Sequence, residues 1–96
     1  MKICFLDKTE FQYNSNDLYS YKLRGAETVI INLANELNNL GHEIFIISNC
    51  YKDEKINNIL WKNIDNYNEN TLYDICIANA DIGLFDKVHA KKKILF

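Results

Sequence analysis

The sequence predicts an α/β fold: a mainly parallel sheet with flanking helices in a three-layer α/β/α arrangement. Three observations carry this expectation. Short apolar runs without alternation recur at Ile3 to Leu6, Ile44 to Ile47 and Ile75 to Ala78, the pattern of strands buried on both faces. An apolar stripe at helical spacing lies between the first two runs. Strand, helix and strand thus follow one another within the first 48 residues, the order that makes a right-handed parallel crossover.

The elements follow in order. Ile3, Cys4, Phe5 and Leu6 form the first strand. The next segment, Asp7 to Arg24, is irregular and much longer than the roughly 2 to 6 residues usual between strand and helix, which marks it as functional or disordered. From Gly25 the spacing turns helical: Ala26, Ile30, Leu33, Leu37 and Leu40, with Val29 and Ala34, share one stripe. Gly41 supplies a residue able to take positive φ at the helix end, and the second strand runs from Ile44 to Ile47. Between Asn49 and Thr71 the signal weakens, and a short strand from Ile59 to Ile64 is the preferred reading. Ile75 to Ala78 form a further buried strand, Ile82 to Ala90 fit a short helix, and Lys92 to Phe96 begin a last strand. That strand has no helix after it, which points to residues 1–96 as a single, truncated domain.

Composition bounds the function. The chain has 96 residues, 48% apolar and 25% charged, with a net charge of -2, so it has an ordinary globular composition and no electrostatic basis for nucleic-acid binding. Three cysteines without a C-x-x-C pair behave as small hydrophobes and fit a reducing cytoplasm. The apolar run near Met1 is too short for a signal peptide or a membrane span of about 20 residues. Lys91, Lys92 and Lys93 are read as a solvated turn, with peripheral contact to an anionic membrane surface as the other reading.

Ligands of an open parallel sheet bind outside the carboxyl ends of its strands, which selects Asp7 to Glu27, Ser48 to Cys50 and Asn79 to Asp81. The sharpest feature there is Arg24-Gly25-Ala26-Glu27. A helix start offers free N–H groups and a positive dipole end, glycine admits close approach, and Arg24 adds a charge-assisted bond, so Arg24, Gly25 and Ala26 form a candidate phosphate site. The competing reading is helix-start chemistry alone, with Gly25 as cap and Glu27 complementing the dipole. Among the acids, Asp7 and Asp81 follow strands, whereas Asp74 precedes one. Phe11, Tyr13, Tyr19 and Tyr21 make the long loop aromatic, suited to sugar stacking or to packing over the sheet edge. His42 and His89 are too far apart to be a zinc or catalytic pair, and neither a G-x-G-x-x-G fingerprint nor a P-loop is present.

Gly25-Ala26-Glu27, the helix segment "INLANEL", then Gly41-His42-Glu43 and an apolar strand resemble the amino-terminal domain of glycosyltransferase family 4. The likeness extends more weakly to "MKICFL", "YDICIANAD" and "KKKILF". It implies one Rossmann-like half of a retaining GT-B enzyme, the acceptor-side domain, with no metal or other cofactor required and with the carboxy-terminal donor domain absent. Its expected ligands are a nucleotide-sugar donor and a glycan or lipid-linked acceptor. By the resemblance, Arg24, Gly25 and Ala26 meet the donor phosphates, while Tyr19, Tyr21, Lys22, Glu27, Asn79 and Asp81 line the acceptor side. Arg24 stands in place of a first glycine, and Asn79 where many members carry histidine. The resemblance places the protein in the cytoplasm, at the inner face of the membrane where the acceptor is lipid-linked, and the 96 residues alone are expected to be inactive. A stand-alone Rossmann-like anion-binding or interaction module is the alternative, and a flavodoxin-like or receiver-like domain a weaker third.

Overall fold

The computed structural model describes residues 1–96, arranged as one six-stranded sheet and one α-helix. The strands are β1 (Lys2–Asp7), β2 (Glu43–Ser48), β3 (Glu54–Ile56), β4 (Ile59–Asn63), β5 (Leu72–Ala78) and β6 (His89–Leu95), and the helix is α1 (Gly25–Asn39). Their order across the sheet is β3-β4-β2-β1-β5-β6. β1 lies at the centre, parallel to both neighbours, with Asp7 beside Ser48 and Leu6 beside Ala78. All pairings are parallel except β3 with β4.

That hairpin was not read from the sequence. Its two-residue turn, Asn57 and Asn58, takes positive φ at both positions (51° and 66°), as the tight turns that match strand twist require, and asparagine tolerates it best after glycine. Glu54 to Ile56 is too short to leave an alternation signal, and the Asn57-Asn58 pair is the one local feature that marks the hairpin.

Strict alternation divides the apolar residues between two faces. Ile3, Phe5, Ile44, Ile46, Ile59 and Trp61 pack with Ile30, Ile31 and Ala34 of α1 in one cluster. Cys4, Leu6, Phe45, Ile47, Cys76 and Ala78 form the second, closed by Ile64, Tyr73, Leu84, Phe85 and Val88. The helix expected over Ile82 to Ala90 is a 3-10 turn, Ile82–Lys87, after which the chain is already in β6. Asp81 starts that turn by accepting from Gly83 N at 2.9 Å, and His89 to Leu95 pair with β5 before a longer helix can form. The second face is therefore covered by a short turn and the segment around Tyr67 rather than by an α-helix. Lys91 to Lys93 lie within β6, not in a turn, and lysines along an open edge strand discourage edge-to-edge pairing.

The cysteines are all free and buried; Cys4 and Cys76 face each other across β1 and β5. Burial raises the Cys4 thiol well above its ordinary range and pushes Cys50 up to about 11, so neither is a thiolate at neutral pH. No helix is long and apolar enough to cross a membrane.

Gly41 ends α1 with φ at +94°, and its N–H donates to Asn38 O at 3.0 Å. A side chain there meets no neighbour, so the cost of substitution is backbone strain alone. Gly41→Ala is expected to lower stability by about 1 kcal/mol, read as a reduced urea midpoint at constant slope. An unchanged midpoint would show that the chain relaxes into another helix end.

Candidate functional site

The alternation that buries the apolar rows also decides where polarity begins. Asp7, Ser48 and Asn79 continue the α1-facing rows of β1, β2 and β5 one step beyond Phe5, Ile46 and Ile77. They form a polar row along the carboxyl edge, beneath the first turn of α1.

Asp7 is the centre of this row. Tyr13 donates its hydroxyl to Asp7 Oδ2 at 2.6 Å, and Asn79 Nδ2 donates to Oδ1 at 3.1 Å. Only 2% of Asp7 is exposed. Burial raises its pKa above the ordinary carboxylate value, the two hydrogen bonds oppose that shift, and the nearby Glu27 charge adds to it. Tyr13 is likewise raised by burial and then by Asp7, which keeps it a hydroxyl donor.

Above the row, Arg24 is the N-cap residue with an extended backbone, and Gly25 is the first helical residue rather than the cap. Glu27 reaches back so that its Oε1 accepts from Arg24 N at 3.3 Å and from Arg24 Nε at 3.1 Å. This is the acidic half of a capping box, and it places a carboxylate at the positive end of the helix. Glu27 is fully buried while the Arg24 side chain is 69% exposed, its guanidinium 5.2 Å from the Phe11 ring centroid. Arg24 Nε is taken by Glu27, and no hydrogen bond occupies its two terminal nitrogens. The N–H groups of Gly25, Ala26 and Glu27 have no intrahelical acceptor. A Cβ built on Gly25 would meet nothing within 4 Å, so the turn is open to approach.

Two buried oxygens lack a hydrogen-bond partner, Glu27 Oε2 and Ser48 Oγ. Buried polar atoms are nearly always paired, and both of these belong to the carboxyl edge. The unpaired buried side-chain oxygens are thus confined to this one place.

The long loop that reaches this edge is ordered by its own polar contacts. Tyr13 N donates to Asn49 O at 3.1 Å, and Asn49 Nδ2 donates to Thr9 O at 3.0 Å, tying it to the chain after β2. Asn14 caps a 3-10 turn, Ser15–Asp17, whose Ser15 Oγ accepts from Trp61 Nε1 at 2.9 Å. Phe11, Leu18 and Leu23 pack against the α1-side core.

Of the residues expected from sequence, Arg24, Gly25, Ala26, Glu27 and Asn79 gather at this edge. Glu27 is turned inward, so its contribution is to hold Arg24 and charge the site rather than to offer surface. Tyr19 and Tyr21 are exposed and form no hydrogen bond. Lys22 straps the loop, donating to Gln12 O at 2.8 Å and to the Tyr51 hydroxyl. Asp81 is engaged in capping its own turn. Sequence reading named Tyr13 only among the loop aromatics and Ser48 only within the strand-end positions, because strand register and loop path alone put them beside Asp7. No cluster of three or more His, Cys, Asp or Glu residues arranged to hold a metal ion is formed.

The chain matches no protein-family model, no curated protein and no solved structure.

Proposed function

We propose that this chain is the acceptor-side, Rossmann-like half of a GT-B glycosyltransferase, transferring a sugar from a nucleotide-sugar donor to a glycan or lipid-linked acceptor. The observation that carries the reading is the carboxyl-edge site itself: a helix start open at Gly25 and an arginine with two unengaged terminal nitrogens, where parallel α/β sheets take their ligands. In this role the Gly25 and Ala26 N–H groups and Arg24 stabilise charge on the diphosphate leaving group, an electrostatic contribution that requires no side-chain nucleophile. Glu27 orients the Arg24 fork from its Nε side and Phe11 supports its face, so little side-chain freedom remains to be lost on binding. Asn79, with Asp7 behind it, offers hydrogen-bonding groups to the sugar side, and Tyr19, Tyr21, Lys22 and Asp81 extend the acceptor wall. In this reading the chain belongs to a three-layer α/β/α Rossmann-like domain, a second such domain supplies the nucleotide contacts across a cleft, and the enzyme works in the cytoplasm at the inner membrane face.

Saturation-transfer NMR of the 96-residue chain with uridine, guanosine and adenosine diphosphates and their sugar esters tests this reading. Saturation transfer is expected to the ribose and sugar protons that flank the diphosphate, with affinity weakened at least about tenfold in Arg24→Ala, a loss of roughly 1.4 kcal/mol. Transfer or hydrolysis at an enzyme-like rate by the chain alone would sink the half-enzyme reading. Inorganic diphosphate that displaces the nucleotide sugars from this signal at concentrations equal to their own would favour a stand-alone anion-binding module.

A further inference from the structure

At the other end of α1 the surface has an open hollow of about 500 Å³. Five residues line it and all five are asparagine: Asn35, Asn38 and Asn39 from the last turns of the helix, and Asn57 and Asn58 from the β3–β4 turn. Asn38 Nδ2 donates to Asn57 O at 3.0 Å, which fixes the helix end to the turn across the hollow. The positive φ of Asn57 and Asn58 belongs to a tight turn, so the wall they form is held by backbone geometry.

We infer that this five-asparagine hollow is a binding site for a neutral, hydroxyl-rich ligand, a saccharide unit. The chemistry follows from what lines it. No charged side chain lines it to answer an ionic ligand, and a flat apolar ligand finds no apolar or aromatic wall. What remains is hydrogen bonding by carboxamides, each holding two N–H donors beside one carbonyl acceptor. Adjacent hydroxyls of a sugar ring, each both donor and acceptor, match that pairing; one hydroxyl donates to the amide oxygen while its neighbour accepts from the amide nitrogen. The hollow lies at the amino edge of the sheet, where Ile59 of β4 stands beside Ile44 of β2. It is separated from Arg24 by the length of α1, roughly 20 Å at 1.5 Å per residue. The site therefore stands independently of the carboxyl-edge reading, and a saccharide held there would be a contact remote from any chemistry.

The test is a titration of the isotope-labelled chain, following the side-chain amide resonances of the five asparagines by NMR. The ligands are glucose, galactose, mannose and N-acetylglucosamine with their linear trisaccharides, and glycerol is the control. At least one saccharide is expected to shift the Asn35, Asn39 and Asn58 amides saturably, with a Kd on the order of 1 to 10 mM. The double variant Asn35→Ala, Asn39→Ala is expected to weaken that binding at least about tenfold, a loss of roughly 1.4 kcal/mol. Asn58→Gly, which keeps the turn, is the second variant and should weaken it without altering backbone resonances outside the turn. No saturable shift from any saccharide up to about 100 mM overturns the inference, as does a glycerol response equal to the saccharide response. Saccharide shifts confined to the Arg24 end would also overturn it while leaving the carboxyl-edge proposal standing.

Discussion

Trp61→Ala is expected to remove about 3 to 5 kcal/mol of stability, the largest effect of any single truncation in this chain. Trp61 is fully buried among the largest side chains of the α1-side core. It meets Tyr13 edge to face with ring centroids 5.6 Å apart, and its indole N–H holds Ser15 of the long loop. Truncation opens a cavity under the helix and releases the loop at the same time. A domain of this size holds roughly 5 to 15 kcal/mol in all, so the variant should be largely unfolded by modest heating or low urea. Because Trp61 is the only tryptophan, circular dichroism must follow the variant, while fluorescence follows the parent. Trp61→Phe separates the two contributions: it keeps most of the volume and loses the Ser15 bond, at about 1 to 2 kcal/mol. A loss below about 1 kcal/mol for Trp61→Ala would mean that the core collapses around the gap and that the loop does not depend on the indole.

The second large effect is a gain in stability on removing the Asp7 charge that depends on pH. Its folded pKa is raised, chiefly by burial, so between its unfolded value and its folded value the native state holds more protons than the unfolded chain. The contribution of Asp7 to stability is therefore full below its unfolded pKa and is lost as pH rises through the raised folded value. At neutral pH the site carries a buried carboxylate beside a second one, Glu27, with Arg24 as the only cation among the charges that shift it. Asp7→Asn removes that charge at nearly constant shape, and an amide oxygen still accepts from the Tyr13 hydroxyl. The variant is expected to gain on the order of 1 kcal/mol at pH 7 and to lose that advantage toward pH 4. Urea midpoints at several pH values, compared with the parent, measure it. A variant less stable at pH 7 than at pH 4, relative to the parent, would show that the Tyr13 and Asn79 hydrogen bonds outweigh the cost of burying the charge. A gain in stability from removing a charged group is what a binding site predicts, since groups held for a ligand are not optimised for the fold.

Much of the architecture was legible from local pattern. Ile3 to Leu6, Ile44 to Ile47 and Ile75 to Ala78 read as buried strands because both faces of each must be apolar, and the helix between the first two read from its stripe and from Gly41. Ile59 to Ile64 was placed correctly as a strand, although its partner Glu54 to Ile56 and the antiparallel hairpin were missed. The short helix after Asp81 was foreseen in place but not in kind, because pairing of His89 to Leu95 with β5 ends it early. The segment from Asp7 to Arg24 carried no periodic signal, yet it is among the more tightly tied parts of the molecule. Its ties are single long-range contacts, such as Tyr13 to Asn49 and Ser15 to Trp61, and contacts of that kind leave no trace in spacing.

The same division runs through the site. Local chemistry alone marked Arg24, Gly25 and Ala26 as a helix start and Asp7 and Asn79 as residues at strand ends, because capping and strand termination depend on neighbours in sequence. The tertiary structure decided that Glu27 turns inward to hold Arg24, that Tyr13 and Asn79 share Asp7, and that Ser48 and Glu27 retain unpaired oxygens. It also brought five asparagines from the helix end and the β3–β4 turn around one hollow. The reason is physical: strand and helix formation reward a repeating local pattern, whereas a site is made where register and loop path bring together side chains from several separate elements, and no single segment encodes that meeting.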